Sequence, residues 1–209
     1  MRQRFLQPHD TAPAASDTIG ILGGSFNPPH DAHVDICRQA LDGGHVQRVI
    51  VVPAYQHPFG KPLAPFADRM AMVRLAFEPL GDKVEVSDIE GALSGVSYTI
   101  DTVRALRRRH CNARFRLLLG ADVLAELPKW KDIRELLRLA PALVFPRAGS
   151  PVPTLPRGLS NIEVVGVQPP DVSSSGVRQQ LADGADKIPA VPAAVMDYIL
   201  KHGLYRSGA

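Results

Sequence analysis

Short apolar runs alternate along this chain with longer stretches in which apolar residues recur every three or four positions. The short runs cover residues 19–22, 49–52, 84–86, 115–119, 142–145 and 162–167. Runs of this length, rich in Val, Ile and Leu, are typical of strands buried in a parallel sheet. We therefore predict a strand at each run, and the second strand ends at Pro53.

The stretches between the runs predict helices. Apolar residues spaced three or four positions apart lie on one face of a helix, which then packs against the sheet. The pattern appears at Val34, Cys37 and Leu41, then in residues 66–77, 99–106 and 133–139, and two closing helices begin at Ser174 and at Pro192.

The alternation of strands and helices predicts the fold class. It favours a single Rossmann-like α/β domain, with a doubly wound, mainly parallel sheet flanked by helices on both faces. We assign residues 18–206 to this domain and residues 1–17 to a flexible N-terminal tail. The stretch 146–159, rich in Pro and Gly, is predicted to be a loop within the domain.

Small residues follow three of the predicted strands. Gly23 and Gly24 end the first strand, Gly120 ends the strand at 115–119, and residues 173–175 are all serine after the last strand. Ligands of doubly wound sheets bind at the carboxyl ends of the strands, where the strand order reverses. We therefore expect these turns to meet at one ligand site.

The residues after Gly24 carry the first candidate chemistry. They read Ser25-Phe26-Asn27-Pro28-Pro29-His30-Asp31-Ala32-His33 and lead into the first helix. Glycine lets a ligand approach the backbone, and a helix start offers free N–H groups and a positive dipole end to an anion. His30 and His33 are one helical turn apart, so we predict a phosphate site that contains two imidazoles.

Parts of this motif also fit other kinds of site. Two histidines three residues apart also occur on protein surfaces and in metal sites, but the nearest Cys, Cys37, falls on the apolar face of the helix, so no third ligand is available to complete a zinc site. The motifs G-x-x-x-x-G-K-[ST] and, after a strand, G-x-G-x-x-G are absent from the chain.

A second candidate phosphate site opens the helix that begins at Ser174. Residues 171–175 offer serine hydroxyls that can cap the helix, and Arg178 follows one turn later. A guanidinium can bind two phosphate oxygens at once. Taken alone, the segment fits a well-capped helix that binds no ligand better than it fits a phosphate site.

Both motifs resemble signatures of one protein superfamily. Residues 23–33 resemble the G-G-[ST]-F-D-P-x-H-x-G-H signature of the adenylyltransferase branch of the nucleotidyltransferases, and residues 172–178 are similar to its I-S-S-T-x-I-R motif. Within that superfamily, residues 97–103, residues 120–122 with Trp130, and the Tyr198-Ile199…Gly203-Leu204-Tyr205 ending resemble bacterial nicotinate-nucleotide adenylyltransferases.

The resemblance implies transfer of AMP from ATP to nicotinate mononucleotide, giving deamido-NAD and pyrophosphate in NAD biosynthesis. It implies catalytic roles for His30, His33, Lys61 and Arg178, which would bind phosphate rather than remove a proton. Expected ATP-binding residues are Gly23, Gly24, Ser25, Phe26, Gly120, Asp122, Ser174 and Ser175, and expected pyridine-nucleotide-binding residues are Asn27, Thr99, Trp130 and Arg147. Mg²⁺ would be bound mainly through the ATP phosphates. The sequence leaves open whether the histidines act as neutral or as cationic groups.

The chain departs from the family pattern in three places. Asn27 stands where the family carries Asp, Ala32 replaces Gly, and residues 57–61 replace P-P-H-K, so that only Lys61 is carried over. These departures leave alternatives open: an adenylyltransferase acting on nicotinamide mononucleotide or phosphopantetheine, or a non-catalytic nucleotide-binding regulator.

Composition narrows the class of protein and its partners. The 209 residues are 45% hydrophobic and 22% charged, as in globular proteins, and a net charge of +3 is too small to predict a nucleic-acid partner. Two cysteines make no disulfide framework, and we predict that Cys37 is a core thiol.

No apolar run has membrane-spanning length and residues 1–17 lack a signal-peptide core, so we expect a cytoplasmic protein without membrane partners. The oligomeric state, including a homo-oligomer, stays open.

Overall fold

The computed structural model describes residues 17–56, 60, 62–93, 96, 98–146, 154–165 and 171–206. Six strands in these residues form one parallel sheet. The strands are β1 (Thr18–Gly24), β2 (Arg48–Pro53), β3 (Val84–Val86), β4 (Arg114–Gly120), β5 (Ala142–Phe145) and β6 (Ile162–Val164). The helices are α1 (Asp31–Asp42), α2 (Phe66–Phe77), α3 (Thr99–Arg109), α4 (Ile133–Leu139), α5 (Ser174–Ala182) and α6 (Ala193–His202). The predicted α/β class is confirmed.

The order of the strands creates the position of the site. They lie in the order β3-β2-β1-β4-β5-β6, so the chain first builds outward on one side of β1 and then returns to build on the other. β1 pairs with β2 up to Gly24 opposite Pro53, and with β4 through Ile21 opposite Leu117. The reversal therefore lies between β1 and β4, where a doubly wound sheet binds its ligands.

The alternation of side chains along the strands produces two cores. Val49 and Val51 of β2 pack on one face of the sheet, with α1, α2, α5 and α6. Ile50 and Val52 pack on the other face, with α3 and α4. Cys37 is fully buried and burial raises the pKa of its thiol, so the prediction of a core thiol is confirmed.

Several element boundaries differ from the prediction. The strand predicted over residues 162–167 ends at Val164, and the Val165 N–H makes one further hydrogen bond of 2.8 Å to the Val144 carbonyl. Residues 166 and 167 lie outside the described residues. Pro192 is the N-cap of α6 rather than its first residue, since proline commonly precedes or opens a helix.

The 3₁₀ segments were missed by the sequence prediction. They cover Glu78–Lys83, Ile89–Ala92, Ala121–Val123 and Leu127–Lys129. Such segments are too short to show an apolar repeat. Residues 1–16 and part of the predicted 146–159 loop (residues 147–153) lie outside the described residues.

The structure bears on two predictions, one about the basic run at the end of the third helix and one about membrane-spanning segments. The basic run of residues 107–110 lies at the carboxyl end of α3 as predicted, and Arg107 donates a hydrogen bond of 3.2 Å to the Leu139 carbonyl at the end of α4. Among the described residues, no helix combines the length and the apolarity that crossing a membrane requires.

A buried arginine fixes the loops at the ends of β1 and β2. Arg69 of α2 is 1% exposed. Its guanidinium donates hydrogen bonds to four backbone carbonyls, those of Ser25, Ala54, Tyr55 and Ala64, over 2.7 to 3.3 Å. Burial lowers the pKa of Arg69, but arginine starts too high to lose its proton in a folded protein. The charge is therefore spread over carbonyl dipoles of both loops.

We expect Arg69→Met to lower the free energy of unfolding by about 3 kcal/mol or more, because it leaves buried carbonyls without donors. Arg74→Met is the matched control on the same helix, since Arg74 is exposed, and it should change stability by no more than about 0.5 kcal/mol. Denaturant-induced unfolding measures both values. Equal losses in the two variants would contradict this role of Arg69.

Candidate functional site

A cleft of about 700 Å³ opens at the carboxyl ends of β1 and β4. Its walls include every predicted site residue that the structure describes: Gly23, Gly24, Ser25, Phe26, Asn27, His30, His33, Thr99, Gly120, Asp122, Trp130, Ser174, Ser175 and Arg178. Lys61 and Arg147 lie outside the described residues. The fold thus brings together segments that are distant in the sequence, at the strand reversal where a ligand is expected.

The glycines at the strand ends have different roles. A Cβ on Gly23 would meet no heavy atom within 4 Å, so the backbone there is open to a ligand. A Cβ on Gly24 would lie 3.2 Å from the Phe26 ring, and one on Gly120 would lie 2.5 Å from Asp122 Oδ1. The absence of a side chain at Gly24 and Gly120 therefore also makes room for side chains of the protein itself.

Phe26 anchors the loop between β1 and α1. Its φ of 47° lies in the left-handed region, which an aromatic residue rarely adopts. The ring is 1% exposed and meets His33 edge-on at 4.9 Å between centroids. Such strain persists where surrounding contacts determine the conformation. The buried Phe26 ring therefore anchors the loop and also contacts the His33 ring.

His30 and His33 form one stacked unit at the start of α1. Their ring centroids are 3.8 Å apart, as expected from their one-turn spacing. The backbone N–H of His30 donates to His33 Nδ1 over 3.2 Å. Because Nδ1 accepts this hydrogen bond, a neutral His33 carries its proton on Nε2.

The second motif binds directly to the first. The Ser173 hydroxyl caps α5 by accepting from the Gly176 N–H over 3.2 Å, as the sequence predicted for these serines. Ser174 donates from its hydroxyl to the Pro28 carbonyl over 2.8 Å, and Arg178 Nη1 donates to the Asn27 carbonyl over 2.8 Å. The two signatures therefore form one hydrogen-bonded structure.

Asn27 is the residue on which these contacts converge. It is 3% exposed. Its Oδ1 accepts hydrogen bonds from the Ala64 N–H over 3.0 Å and from the Tyr205 hydroxyl over 2.7 Å. The side chain that departs from the family pattern thus joins the loop before α2 and the end of the chain to the loop after β1.

The other side of the cleft is formed by the start of α3 and by Trp130. Thr99 is the first residue of α3, where backbone N–H groups have no acceptor within the helix. Trp130 follows the 3₁₀ turn Leu127–Lys129 and is half-buried against the core beneath α3 and α4. Lys131 links this segment to α3, because its Nζ lies 2.9 Å from Asp101 Oδ2 and 4.6 Å from the Tyr98 ring centroid.

A carboxylate that the sequence prediction missed also lines the cleft. Glu90 is 7% exposed and accepts hydrogen bonds from the Thr102 hydroxyl over 2.8 Å and from the Tyr55 N–H over 3.2 Å. It thereby connects α3 to the segment after β2. Glu90 and Arg69 escaped prediction because each is a charged residue in an ordinary helical or loop context. Only their burial distinguishes them.

The alternative metal-site interpretation of the two histidines gains no support. The described residues contain no group of three or more His, Cys, Asp or Glu side chains that could hold a metal ion. His33 Nδ1 accepts a backbone hydrogen bond, and the two rings stack rather than converge on a point. The start of α1 instead places two imidazoles at the positive end of the helix dipole, which suits an anion.

Comparison with known proteins agrees with this geometry. A cytidylyltransferase-like family model matches residues 21–180. A protein from Anaeromyxobacter sp. (strain K), described as a probable nicotinate-nucleotide adenylyltransferase, is 41% identical over 90% of this chain and 96% of its own length. A protein of the same description from Gemmatimonas aurantiaca is 36% identical over 90% of this chain and 92% of its own.

Solved structures share the fold. The nicotinic acid mononucleotide adenylyltransferase of Plasmodium falciparum, complexed with NaAD, superimposes with a TM-score of 0.74 and 20% identity over 90% of this chain and 97% of its own. The identities of the curated relatives, together with their nearly full-length coverage, are sufficient to assign the family. This chain belongs to the nicotinate-nucleotide adenylyltransferase family of cytidylyltransferase-like proteins.

Proposed function

We propose that this chain transfers AMP from ATP to nicotinate mononucleotide, forming deamido-NAD and pyrophosphate in NAD biosynthesis. The main support for the proposal is that the two signature motifs are hydrogen-bonded to each other. Arg178 of the second motif donates to the Asn27 carbonyl of the first, beside the stacked His30 and His33. The same cleft contains Trp130 and the start of α3. Relatives 35% to 41% identical are described as probable nicotinate-nucleotide adenylyltransferases.

The ATP phosphates would lie over the loop after β1. Gly23 leaves the backbone open there, and the positive dipole ends of α1 and α5 lie at the cleft. His33 would donate from Nε2, and the remaining N–H groups of Arg178 would bind phosphate oxygens. We assign Lys61 to the same anion. Gly120 and Asp122 would meet the adenosine, with Asp122 accepting from a ribose hydroxyl.

The chemistry needs alignment rather than a strong base. The attacking group is the phosphate of nicotinate mononucleotide, which is already an anionic nucleophile. The protein must hold two anions in line and stabilise charge on the α-phosphate and the departing pyrophosphate. Neutral and cationic donors such as His30, His33 and Arg178 fit this requirement. None of them has to accept a proton.

Mg²⁺ fits the residues present as an ion held mainly by ATP. It keeps several waters and takes few protein ligands when bound to substrate phosphates. The described residues provide no metal-binding group of three or more side chains, so the phosphates would supply its ligands. When bound, Mg²⁺ neutralises part of the triphosphate charge.

The acceptor would occupy the side of the cleft near α3. Trp130 would stack on the pyridine ring, and the Thr99 N–H would bind the nicotinate carboxylate at the positive end of the helix. Asn27 and Arg147 complete the proposed pyridine-nucleotide site. Glu90 and Lys131 have an indirect role in this site. Each holds α3 in place, Glu90 through Thr102 and Lys131 through Asp101.

Pyrophosphate release from Mg²⁺–ATP should be at least about tenfold faster with nicotinate mononucleotide than with nicotinamide mononucleotide, and absent with phosphopantetheine, because a carboxylate binds the α3 start better than an amide does. Three parallel assays measure this. Release with a different acceptor alone would overturn the substrate assignment. If none of the three acceptors supports pyrophosphate release, the non-catalytic nucleotide-binding regulator is favoured.

Trp130→Ala should raise the KM for nicotinate mononucleotide about tenfold, because stacking on an aromatic ring is lost. The KM for ATP should change less than about twofold. Trp130→Phe is the matched control, since it keeps an aromatic face and should raise the acceptor KM much less. Equal changes in both KM values would argue that Trp130 is only structural.

A further inference from the structure

Tyr205 follows the last helix and adopts a strained conformation. α6 ends at His202 and is capped by Gly203, whose φ of 63° is left-handed, and the Leu204 N–H donates over 3.1 Å to the Ile199 carbonyl. Tyr205 has a φ of 65°, in a region that aromatic residues rarely adopt. Such strain persists only where contacts elsewhere determine the conformation. The contact that does so here is with the loop after β1.

The Tyr205 hydroxyl donates a hydrogen bond to Asn27 Oδ1 over 2.7 Å. The Ala64 N–H donates to the same oxygen over 3.0 Å, which determines the orientation of the Asn27 amide. Burial raises the pKa of the Tyr205 hydroxyl, so its proton remains in place at neutral pH. Tyr205 is therefore the donor to a fully buried acceptor.

We propose that Tyr205 is a positioning residue for adenylyl transfer, whose hydroxyl, acting through Asn27, holds the loop of residues 25–29 in the conformation that binds the triphosphate. The inference rests on the proposed function, because it specifies how that same site is organised. It makes the end of the chain part of the ATP-binding apparatus, although Tyr205 itself does not line the cleft.

The connection runs through the Asn27 backbone to the proposed phosphate ligand Arg178. Arg178 Nη1 donates to the Asn27 carbonyl over 2.8 Å, so the position of Asn27 determines where the guanidinium lies. On its N-terminal side, Asn27 follows the strained Phe26, whose ring contacts His33. Loss of the hydrogen bond to the Asn27 side chain would therefore loosen both the Arg178 guanidinium and the His33 ring.

The chain offers a matched pair of tyrosines for the test. Tyr198 of α6 also donates one hydroxyl hydrogen bond, to Asp68 Oδ1 over 2.8 Å, but its partner lies on α2 and not in the loop. Replacement of either tyrosine by Phe removes one hydroxyl and keeps the ring. A difference between the two variants therefore reports on the loop rather than on general stability.

Binding of Mg²⁺–ATP to the full chain is measured by titration calorimetry without an acceptor. Tyr205→Phe should weaken ATP binding about fivefold, the cost of one neutral hydrogen bond, whereas Tyr198→Phe should leave it unchanged. In steady-state assays, Tyr205→Phe should lower kcat/KM for ATP by the same factor, whereas Tyr198→Phe should leave it unchanged.

Two results would overturn the inference: unchanged ATP affinity in Tyr205→Phe, or an equal loss of affinity in Tyr198→Phe. Thermal melting of both variants verifies that each is folded during the titration. If the unaltered chain binds ATP but releases no pyrophosphate with nicotinate mononucleotide, the proposed function fails by itself. The ATP affinities of the two variants still decide the role of Tyr205.

Discussion

The loop between β1 and α1 has carbonyl groups that no strand or helix can satisfy, and the site depends on how they are paired. Buried backbone oxygens need hydrogen-bond donors, and here those donors are side chains from distant helices. Arg69 of α2 donates to the Ser25 carbonyl, and Arg178 of α5 donates to the Asn27 carbonyl. The loop conformation is therefore stable only when α2 and α5 are packed on the sheet. Folding and the assembly of the site are one event.

The same requirement explains the chemical character of the site. A reaction between two anions needs hydrogen-bond donors held in advance, since donors that reorganise during the reaction stabilise charge less well. His33 has its Nδ1 engaged by the His30 N–H, so its orientation is determined before any ligand binds. The Phe26 ring meets the His33 ring in an edge contact, and the His30 ring stacks on it. The imidazole is therefore a fixed donor.

Most of the fold could be predicted from the sequence because each element has its own signal. Strands buried on both faces appear as continuous apolar runs, such as residues 49–52, and helices as apolar residues three or four positions apart. The motif residues of the site were also recognised locally, from Gly23 to His33 and from Ser173 to Arg178. The 3₁₀ segments, such as Ala121–Val123, carry no such signal and were missed.

The sequence by itself determined the α/β class, the order of the elements and the two motifs at strand ends, because periodicity and turn chemistry act within a few neighbouring residues. Only the tertiary structure decided what holds those motifs. Arg69 and Glu90 look like ordinary polar positions along the chain, and Tyr205 belongs to a recognised ending whose contacts the sequence does not reveal. Each acquires its role from a partner 12 or more positions away, such as Thr102 for Glu90 and Asn27 for Tyr205. Burial makes these contacts important for stability, since a polar group left unpaired inside the protein raises the free energy of the folded state.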